Sequence, residues 1–231
     1  GLFWKPAAKE LYGAVKEGRA FDLGVLNYAH VYATSIMEYN SAAGKVCAGP
    51  TAGSCGVLGG MLFSIRATMG CSREKMVQAL LCAGLIGVFI SEHATFGAEV
   101  AACQAENGSA SCMAAGAATY LLGGTIDQIL TGAALAMQNL LGLVCDPIAG
   151  CAAIPCINRN SAAIANAVVC ANLAVGGYDA VIPFDQCVEA MYSVGKLLPR
   201  ELRCTGLGGL CVTETGQRIN REFNDNKEGN L

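Results

Sequence analysis

The segment 97–122 reads GAEVAACQAENGSASCMAAGAATYLL, and its small side chains indicate the fold. Alanine, glycine and serine dominate it, and small residues at a contact let helices approach one another closely. The segment lies in a stretch without lysine or arginine that extends from Lys75 to Arg159. A stretch this poor in charge belongs either to the inside of a protein or to a membrane span.

The lengths of the apolar runs favour a buried helical core over a membrane protein. Charged residues make up 14% of the chain, against about 25% in an average soluble domain. A membrane helix needs about 20 consecutive apolar residues. The best run, 76–90, is shorter than this, contains Gln78 and is bracketed by Lys75 and Glu92. We therefore predict a protein without a membrane span.

Helical signals follow one another along the whole chain, and the period-two alternation of strands is almost absent. Helices are predicted at 7–17, 23–39, 56–69, 72–91, 125–143, 161–176 and 183–195. Ser72, Thr125 with Gln128, and Ser161 are the predicted caps. The prediction is an all-α fold: a bundle of largely buried helices with glycine-rich and proline-containing active-site loops. It forms a single helical catalytic domain over 1–231, with a polar, frayed tail at 213–231.

Composition excludes several classes of function. High apolar content with a net charge of -3 excludes a disordered chain. The sequence pI of about 5.4 offers no basic surface for phosphates, so a nucleic-acid binder is excluded as well. Thirteen cysteines cannot all pair, and no secretory signal is visible. We therefore predict a reducing cytoplasm, where clustered cysteines indicate metal binding or catalysis.

The loop 49–56, Gly-Pro-Thr-Ala-Gly-Ser-Cys-Gly, leads into a predicted helix. Free backbone N–H groups at such a junction, together with the helix dipole, suit an anion such as a carboxylate. It is not a Walker A loop, because no Gly-Lys-Ser/Thr follows. A turn with close helix packing explains the same residues without a ligand.

Two further segments carry cysteines in places that suit chemistry: Cys103 in Ala-Cys-Gln-Ala-Glu-Asn-Gly, and the proline-containing loop from Cys145 to Cys156. The chain has no C-x-x-C, which argues against zinc ribbons and thioredoxin-like redox sites. Spaced thiolates on stiff loops can hold an iron–sulfur cluster, and three of them leave one iron free to act as a Lewis acid. From spacing alone this signal is weak, and packing cysteines explain it better than a cluster does.

At this point the sequence resembles a known family, the α chain or catalytic domain of iron–sulfur-dependent L-serine dehydratases (L-serine ammonia-lyases). The resemblance rests on the glycine loop 49–56, on 97–108, on 145–160 and on Leu-Arg-Cys-Thr-Gly-Leu-Gly-Gly-Leu at 202–210. It implies a [4Fe–4S] cluster whose ligands are Cys103, Cys145 and Cys156. The other ten cysteines fall outside the ligand positions, and Cys151 is interpreted as a packing residue.

The resemblance also implies a reaction, the conversion of L-serine to pyruvate and ammonia. The open iron would make the substrate hydroxyl a better leaving group. Thr51, Gly53 and Ser54 are the predicted donors to the substrate carboxylate, with Arg203 as a further candidate or, alternatively, a surface ion-pair partner. The candidate ligands have three polar neighbours, Gln104, Glu106 and Asp146. These side chains would orient the ligands or tune the cluster. Alternatively, they cap helices or form hydrogen bonds in the core.

The general base is not identified by the sequence. His30 is interpreted as a packing histidine, and His93, which precedes the Cys103 segment, is a candidate that would face the cluster. The base otherwise comes from a partner, because the family carries a Ser-His motif on a second domain or β chain. We expect a β chain or domain, an oligomer, and a chain truncated at its N-terminus relative to the family.

Two other classes of function remain open at this stage. One is a pyridoxal-phosphate lyase with Lys45 as its Schiff-base lysine beside the glycine loop, although the strand-poor pattern argues against it. The other is a non-catalytic helical interaction subunit whose cysteines only pack.

Overall fold

The computed structural model describes residues 3–228, and it confirms the all-α prediction. Two cysteine-bearing loops pair only through an isolated bridge between Cys145 and Arg203, and residues 3–228 contain no β-strand. The helices are α1 Ala8–Lys16, α2 Leu26–Ser41, α3 Cys55–Met69, α4 Arg73–His93, α5 Ala98–Cys103, α6 Ser109–Leu121, α7 Ile126–Gln138, α8 Cys156–Val175, α9 Phe184–Leu197 and α10 Glu214–Glu228.

Helix α6 forms the centre of the molecule and is buried on almost every face. It packs against α3, α4, α7 and α8, and its alanines, glycine and serines explain how four neighbours fit around one helix. A Cβ added at Gly116 would collide with Ile86 of α4. The small residues of the segment 97–122 therefore place the core as predicted.

Local capping chemistry sets several helix ends where the sequence predicts them. Ser72 Oγ accepts a hydrogen bond from the Lys75 amide at 3.2 Å at the start of α4. Thr125 and Gln128 form a reciprocal capping box at the start of α7. Gly70 ends α3 with φ of 65°, a conformation that suits glycine.

Two predicted boundaries are wrong. Helix α8 begins at Cys156 and not near Ser161, with Pro155 as its N-cap residue. Helix α7 ends at Gln138 and not at Leu143. The polar tail is helical over Glu214–Glu228, and the Thr213 hydroxyl accepts a hydrogen bond from the Gly216 amide at 3.1 Å at the start of α10. That the tail frays stays a prediction. Residues 1, 2 and 229–231 of the predicted domain and tail lie outside the described part of the chain.

Within residues 3–228, α4 is the one helix that is long and apolar enough to cross a membrane. Its inner face, with Ala79, Ala83, Ile86, Gly87 and Ile90, is buried. Length and composition do not distinguish a membrane span from a helix that packs on protein. The absence of a membrane span therefore stays a prediction.

Candidate active site

The first candidate ligand, Cys103, lies where helix α5 breaks. Ala101 and Ala102 leave helical geometry, and Ala102 has φ of 62°. A π-helical turn, Gln104–Gly108, then leads into α6. Strained backbone and π-turns concentrate at functional sites. The break aims Cys103 inward, where it is 1% exposed and packs with Cys145 and Ala98.

The second candidate ligand, Cys145, lies on the loop after α7 and is joined by backbone hydrogen bonds to a distant segment. Its amide donates to Leu202 O at 2.8 Å, and the Cys204 amide donates to Cys145 O at 2.9 Å. This short pairing brings the Cys204 thiol beside Cys145. Cys204, which the sequence prediction left among the ten other cysteines, is therefore a fourth thiol at the same place.

The third candidate ligand, Cys156, is the first residue of α8. Together with Cys145 and Cys204 it lines a cavity of about 350 Å³, hereafter the thiol cavity. The polar residues at the same wall are Thr51, Glu99 and Glu106, with Gly53 between them. Loops from four distant parts of the chain thus surround one space that is lined by thiols and carboxyl groups.

The thiols perturb one another. Cys103 and Cys204 lie against the Cys145 thiol, and these neighbours raise its pKa well above the usual range, while the pKa of Cys103 is lowered. Burial raises the pKa of Cys156 to about 12. Thiols must lose their protons to bind a metal. A cation bound between them would therefore offset the cost of burying thiolate charge.

The glycine loop is organised around a carboxylate of the protein itself. Thr51 Oγ1 donates to Glu106 Oε1 at 2.7 Å and lies 3.0 Å from Ser54 Oγ. A Cβ at Gly53 would come within 2.9 Å of Glu106 Oε1, so a larger residue there would have to displace the Glu106 carboxyl group. Thr51 and Gly53 line the cavity, whereas Ser54 is fully buried. Their role as donors to a substrate carboxylate stays a prediction.

Burial raises the pKa of Glu106, and the hydrogen bond from Thr51 opposes this shift in part. Glu106 therefore keeps a proton to a higher pH than an exposed glutamate does. The sequence interpretation placed Glu106 beside the ligands as a tuning or capping group. The structure places its carboxyl group on the wall of the thiol cavity itself.

The other predicted neighbours hold the loops together. Gln104 is fully buried; its Nε2 donates to Met191 O at 2.9 Å, and its Oε1 accepts from the Gly142 amide at 2.8 Å. Asp146 Oδ1 lies 2.8 Å from Arg159 Nη1 in a buried ion pair, and Asp146 Oδ2 accepts from the Leu210 amide at 2.8 Å. Both side chains orient the segments that carry the cysteines.

Sequence reasoning missed one direct contact to a candidate ligand. Asn107 Nδ2 donates to Cys103 Sγ at 2.9 Å inside the core. The signal was available, because residues 103 and 107 are one helical turn apart and share a helix face. A hydrogen bond to sulfur stabilises a thiolate and tunes a metal centre.

Arg203 is half-buried and is not a surface ion-pair partner. Its Nη1 donates to Val100 O at 3.5 Å, and its buried Nε has no hydrogen-bond partner among the described residues. Its backbone, paired with that of Cys145, lies next to the thiol cavity, but the side chain is not part of the cavity wall.

The structure corrects the prediction that His93 faces the cysteines. His93 ends α4, is exposed, and its Nδ1 lies 2.9 Å from Phe89 O. It lines a separate cavity of about 440 Å³ with Asp127 and Asp185. His30 is likewise absent from the thiol cavity, so neither of the two histidines of the chain lines that cavity.

Lys45, the residue of the pyridoxal-phosphate alternative, is exposed and does not line the thiol cavity. Cys151 is also absent from that wall and packs in a small apolar cluster with Met37 and Cys55. Lys45 and Cys151 therefore do not contribute to the thiol cavity, whose reactive groups are cysteine thiols and carboxyl groups.

The thiols fit an iron–sulfur cluster by their chemistry. Within residues 3–228 no three His, Cys, Asp or Glu side chains are arranged to hold one ion. In a cluster each thiolate binds its own iron, so the sulfurs need not meet at one point. The sulfurs of Cys103, Cys145 and Cys156 are soft donors of the kind that iron–sulfur clusters use, and Asn107 donates a hydrogen bond to the Cys103 sulfur.

Comparison with known proteins defines the class. The sequence model of the family described as "Serine dehydratase alpha chain" matches residues 4–211. The chain is 42% identical over 216 residues to the "L-serine dehydratase, alpha chain" of Peptoniphilus asaccharolyticus and covers 74% of that protein. It is 39% identical over 216 residues to the "Probable L-serine dehydratase, alpha chain" of Bacillus subtilis, with 72% covered. Each alignment includes 94% of this chain.

The chain therefore belongs to the serine dehydratase alpha chain family. It is also 35% identical over 192 residues to "L-serine dehydratase TdcG" of Escherichia coli, which includes 82% of this chain but 42% of that longer protein. The family membership confirms the resemblance drawn from the four sequence segments.

Proposed function

We propose that this chain is the catalytic subunit of an L-serine ammonia-lyase that converts L-serine to pyruvate and ammonia with a [4Fe–4S] cluster in the thiol cavity. The observation that carries the proposal is that Cys103 packs against Cys145 and that Cys145 and Cys156 line one cavity, although the three residues lie far apart in sequence. The names of the relatives support the substrate and the reaction.

Cys103, Cys145 and Cys156 would hold the cluster, with Asn107 donating to the Cys103 sulfur. When bound, the cluster supplies a Lewis acid that helps the substrate hydroxyl to depart. Thr51 and Gly53 line this space together with Glu99 and Glu106, and an ionised carboxylate there would be a negative partner for the substrate ammonium.

Glu106 is also the group of this chain that is placed to move a proton. Elimination removes the Cα proton and the hydroxyl of serine, and the resulting aminoacrylate tautomerises and hydrolyses to pyruvate and ammonia. A general base works best when its pKa lies near the working pH, and burial moves the pKa of Glu106 upward in that direction. A base from a partner is the alternative assignment.

The proposed enzyme works with a second chain or domain. The relatives named "alpha chain" imply a beta chain, and the longer relatives extend well beyond the matched region. A cytoplasmic location follows from the reduced thiols that the cluster requires.

The test is to purify the chain under nitrogen and to measure iron, sulfide and serine-dependent pyruvate, with and without the second chain. We expect about four irons per chain. Substitution of Cys103, Cys145 or Cys156 by Ala should remove the brown colour and the pyruvate, since three thiols are needed to hold the cluster.

Two variants provide the controls. Cys151→Ala should keep both cluster and activity, because Cys151 packs outside the thiol cavity. Cys204→Ala should keep the iron, because the three proposed ligands remain. A cluster retained in Cys145→Ala would refute the ligand assignment, and iron lost from Cys204→Ala would add Cys204 to the ligands.

A further inference from the structure

Helix α4 presents an apolar face that nothing in the described chain covers. Its outward side chains are between 44% and 68% exposed: Val77, Leu80, Leu81, Leu85, Val88 and Phe89. The exposed Gly84 lies among them, with open space at its Cβ position. A contiguous exposed apolar stripe of this kind marks an interaction site.

The order of these residues along α4 is symmetric about the point between Cys82 and Ala83. Reversal of the helix about that point superposes apolar positions on apolar positions, matching Val77 with Val88, Leu80 with Leu85 and Leu81 with Gly84. It also superposes Arg73, in the first turn, on Glu92, in the last. A face that is complementary to its own reversed copy fits a two-fold interface, in which residue i contacts j and j contacts i.

We propose that α4 pairs with α4 of a second copy of this chain, antiparallel and about a two-fold axis near residues 82–83. Each Leu81 then packs over the partner's Gly84, where the missing side chain leaves room. Arg73 of each copy meets the partner's Glu92, so the pair forms twice. Antiparallel pairing also sets the two helix dipoles against each other favourably.

The charges favour a second copy over a lipid surface. An interfacial helix carries Lys and Arg along its polar face, whereas α4 has no charged residue between Lys75 and Glu92. Its first turn holds Arg73, Glu74 and Lys75, and its last turn holds Glu92. The inner face of α4 packs against α6 and α9. A groove of about 360 Å³ between α3 and α4, lined by Phe63, Arg66 and Leu80 among others, continues the apolar surface beside α4.

The first test measures the association of the 231-residue chain by sedimentation velocity over micromolar concentrations. We expect a dimer, and we expect Val88→Glu to raise the dimer dissociation constant at least tenfold by placing a carboxylate against the partner's Val77. Val169→Glu on α8 is the matched control, because Val169 and Val88 are 51% and 53% exposed. It should dimerise like the original chain.

The second test exchanges the charges at the ends of α4. Arg73→Glu or Glu92→Arg should each weaken the dimer, and the double variant should restore it, because the pair Arg73 to partner Glu92 is then reversed. Within one chain these residues lie about 28 Å apart along the helix, so rescue cannot arise inside one copy. Both residues are exposed, so these variants should fold even if Val88→Glu does not.

Three outcomes would overturn the proposal. They are a monomer at all concentrations, a dimer indifferent to Val88→Glu, and a double charge variant no better than the single ones. Binding of the monomer to vesicles of phosphatidylcholine and phosphatidylglycerol, lost in Val88→Glu, would assign the face to lipid instead. None of these measurements depends on the cluster or on serine turnover, so their failure leaves the proposed reaction untouched.

Discussion

At the scale of single residues, the chain separates its cysteines by environment. Cys112 and Cys170 are fully buried in the main core, where they behave as small apolar side chains. Cys103, Cys145 and Cys156 are buried too, but they lie beside one another and beside carboxyl groups. The chemistry of a cysteine here depends on its neighbours and not on its exposure.

Glu106 gives a test at this scale. Because burial raises the pKa of Glu106 above its usual value of 4.5, a base at this position is active only as pH rises through that higher pKa. We expect Glu106→Gln to lower kcat by about 10²–10⁴-fold and to abolish the acidic limb of the pH–rate profile. The measurement is pyruvate formation at saturating serine across pH.

Thr51→Val is the companion variant. The Thr51 hydroxyl lowers the pKa of Glu106, so its removal should move the acidic limb to higher pH while kcat on the plateau is largely kept. An unchanged pH profile in both variants would assign the base to another group.

At the scale of elements, helix ends and close contacts position the site. Helix α9 lies against the break in α5, so closely that a Cβ at Gly195 would collide with Ala101, two residues before Cys103. A glycine at this contact lets the two helices meet and holds the turn that aims the cysteine. The same device, a small residue at a crossing, builds the core around α6.

We therefore expect Gly195→Ala to lower the free energy of unfolding by about 1–3 kcal/mol, the usual cost of overpacking, and to weaken iron retention. Urea unfolding and iron content against a chelator are the measurements. Gly13→Ala in α1 is the matched control, because its Cβ would meet only Glu17 Oε1 at 3.8 Å. It should be neutral or stabilising by up to about 1 kcal/mol, and equal effects at both positions would contradict the packing argument.

At the scale of the whole molecule, long-range polar contacts assemble the thiol cavity. Asp146 joins its own loop to Arg159 of α8 and to the Leu210 amide near the C-terminus. The two side chains of the ion pair are 4% and 16% exposed, so water screens them little. This junction fixes the Cys145 loop relative to both Cys156 and Cys204.

Removing one member leaves a buried charge without its partner, which costs about 3–5 kcal/mol. We expect Asp146→Ala and Arg159→Ala each to lower stability by this order, and the double variant to lose clearly less than the sum. A double-mutant cycle by thermal or chemical unfolding measures the coupling. Additive losses would show that the pair does not act as a unit.

Much of the fold was predictable because its signals are local. Ser72, Thr125 and Gln128 cap helices through neighbours three residues away, and the small residues of 97–122 mark the central packing segment. The start of α8 was not predictable from Ser161, since the helix begins at Cys156, five residues earlier, with Pro155 as its N-cap residue. The helical tail was missed because polar residues dominate it, although Ile219 and Phe223 repeat at a helical spacing of four.

Sequence by itself determined the all-α class, because composition and helical periodicity are local signals. The resemblance of four short segments indicated the family and implied the three candidate ligand cysteines. Only the tertiary structure decided that Cys204 joins them, that Glu106 lines the cavity, and that His93 lies elsewhere. The physical reason is that these residues lie far apart along the chain. Residues 51, 106, 145 and 204 become neighbours only when the helices between them pack, and a local sequence pattern does not predict which loops will come into contact.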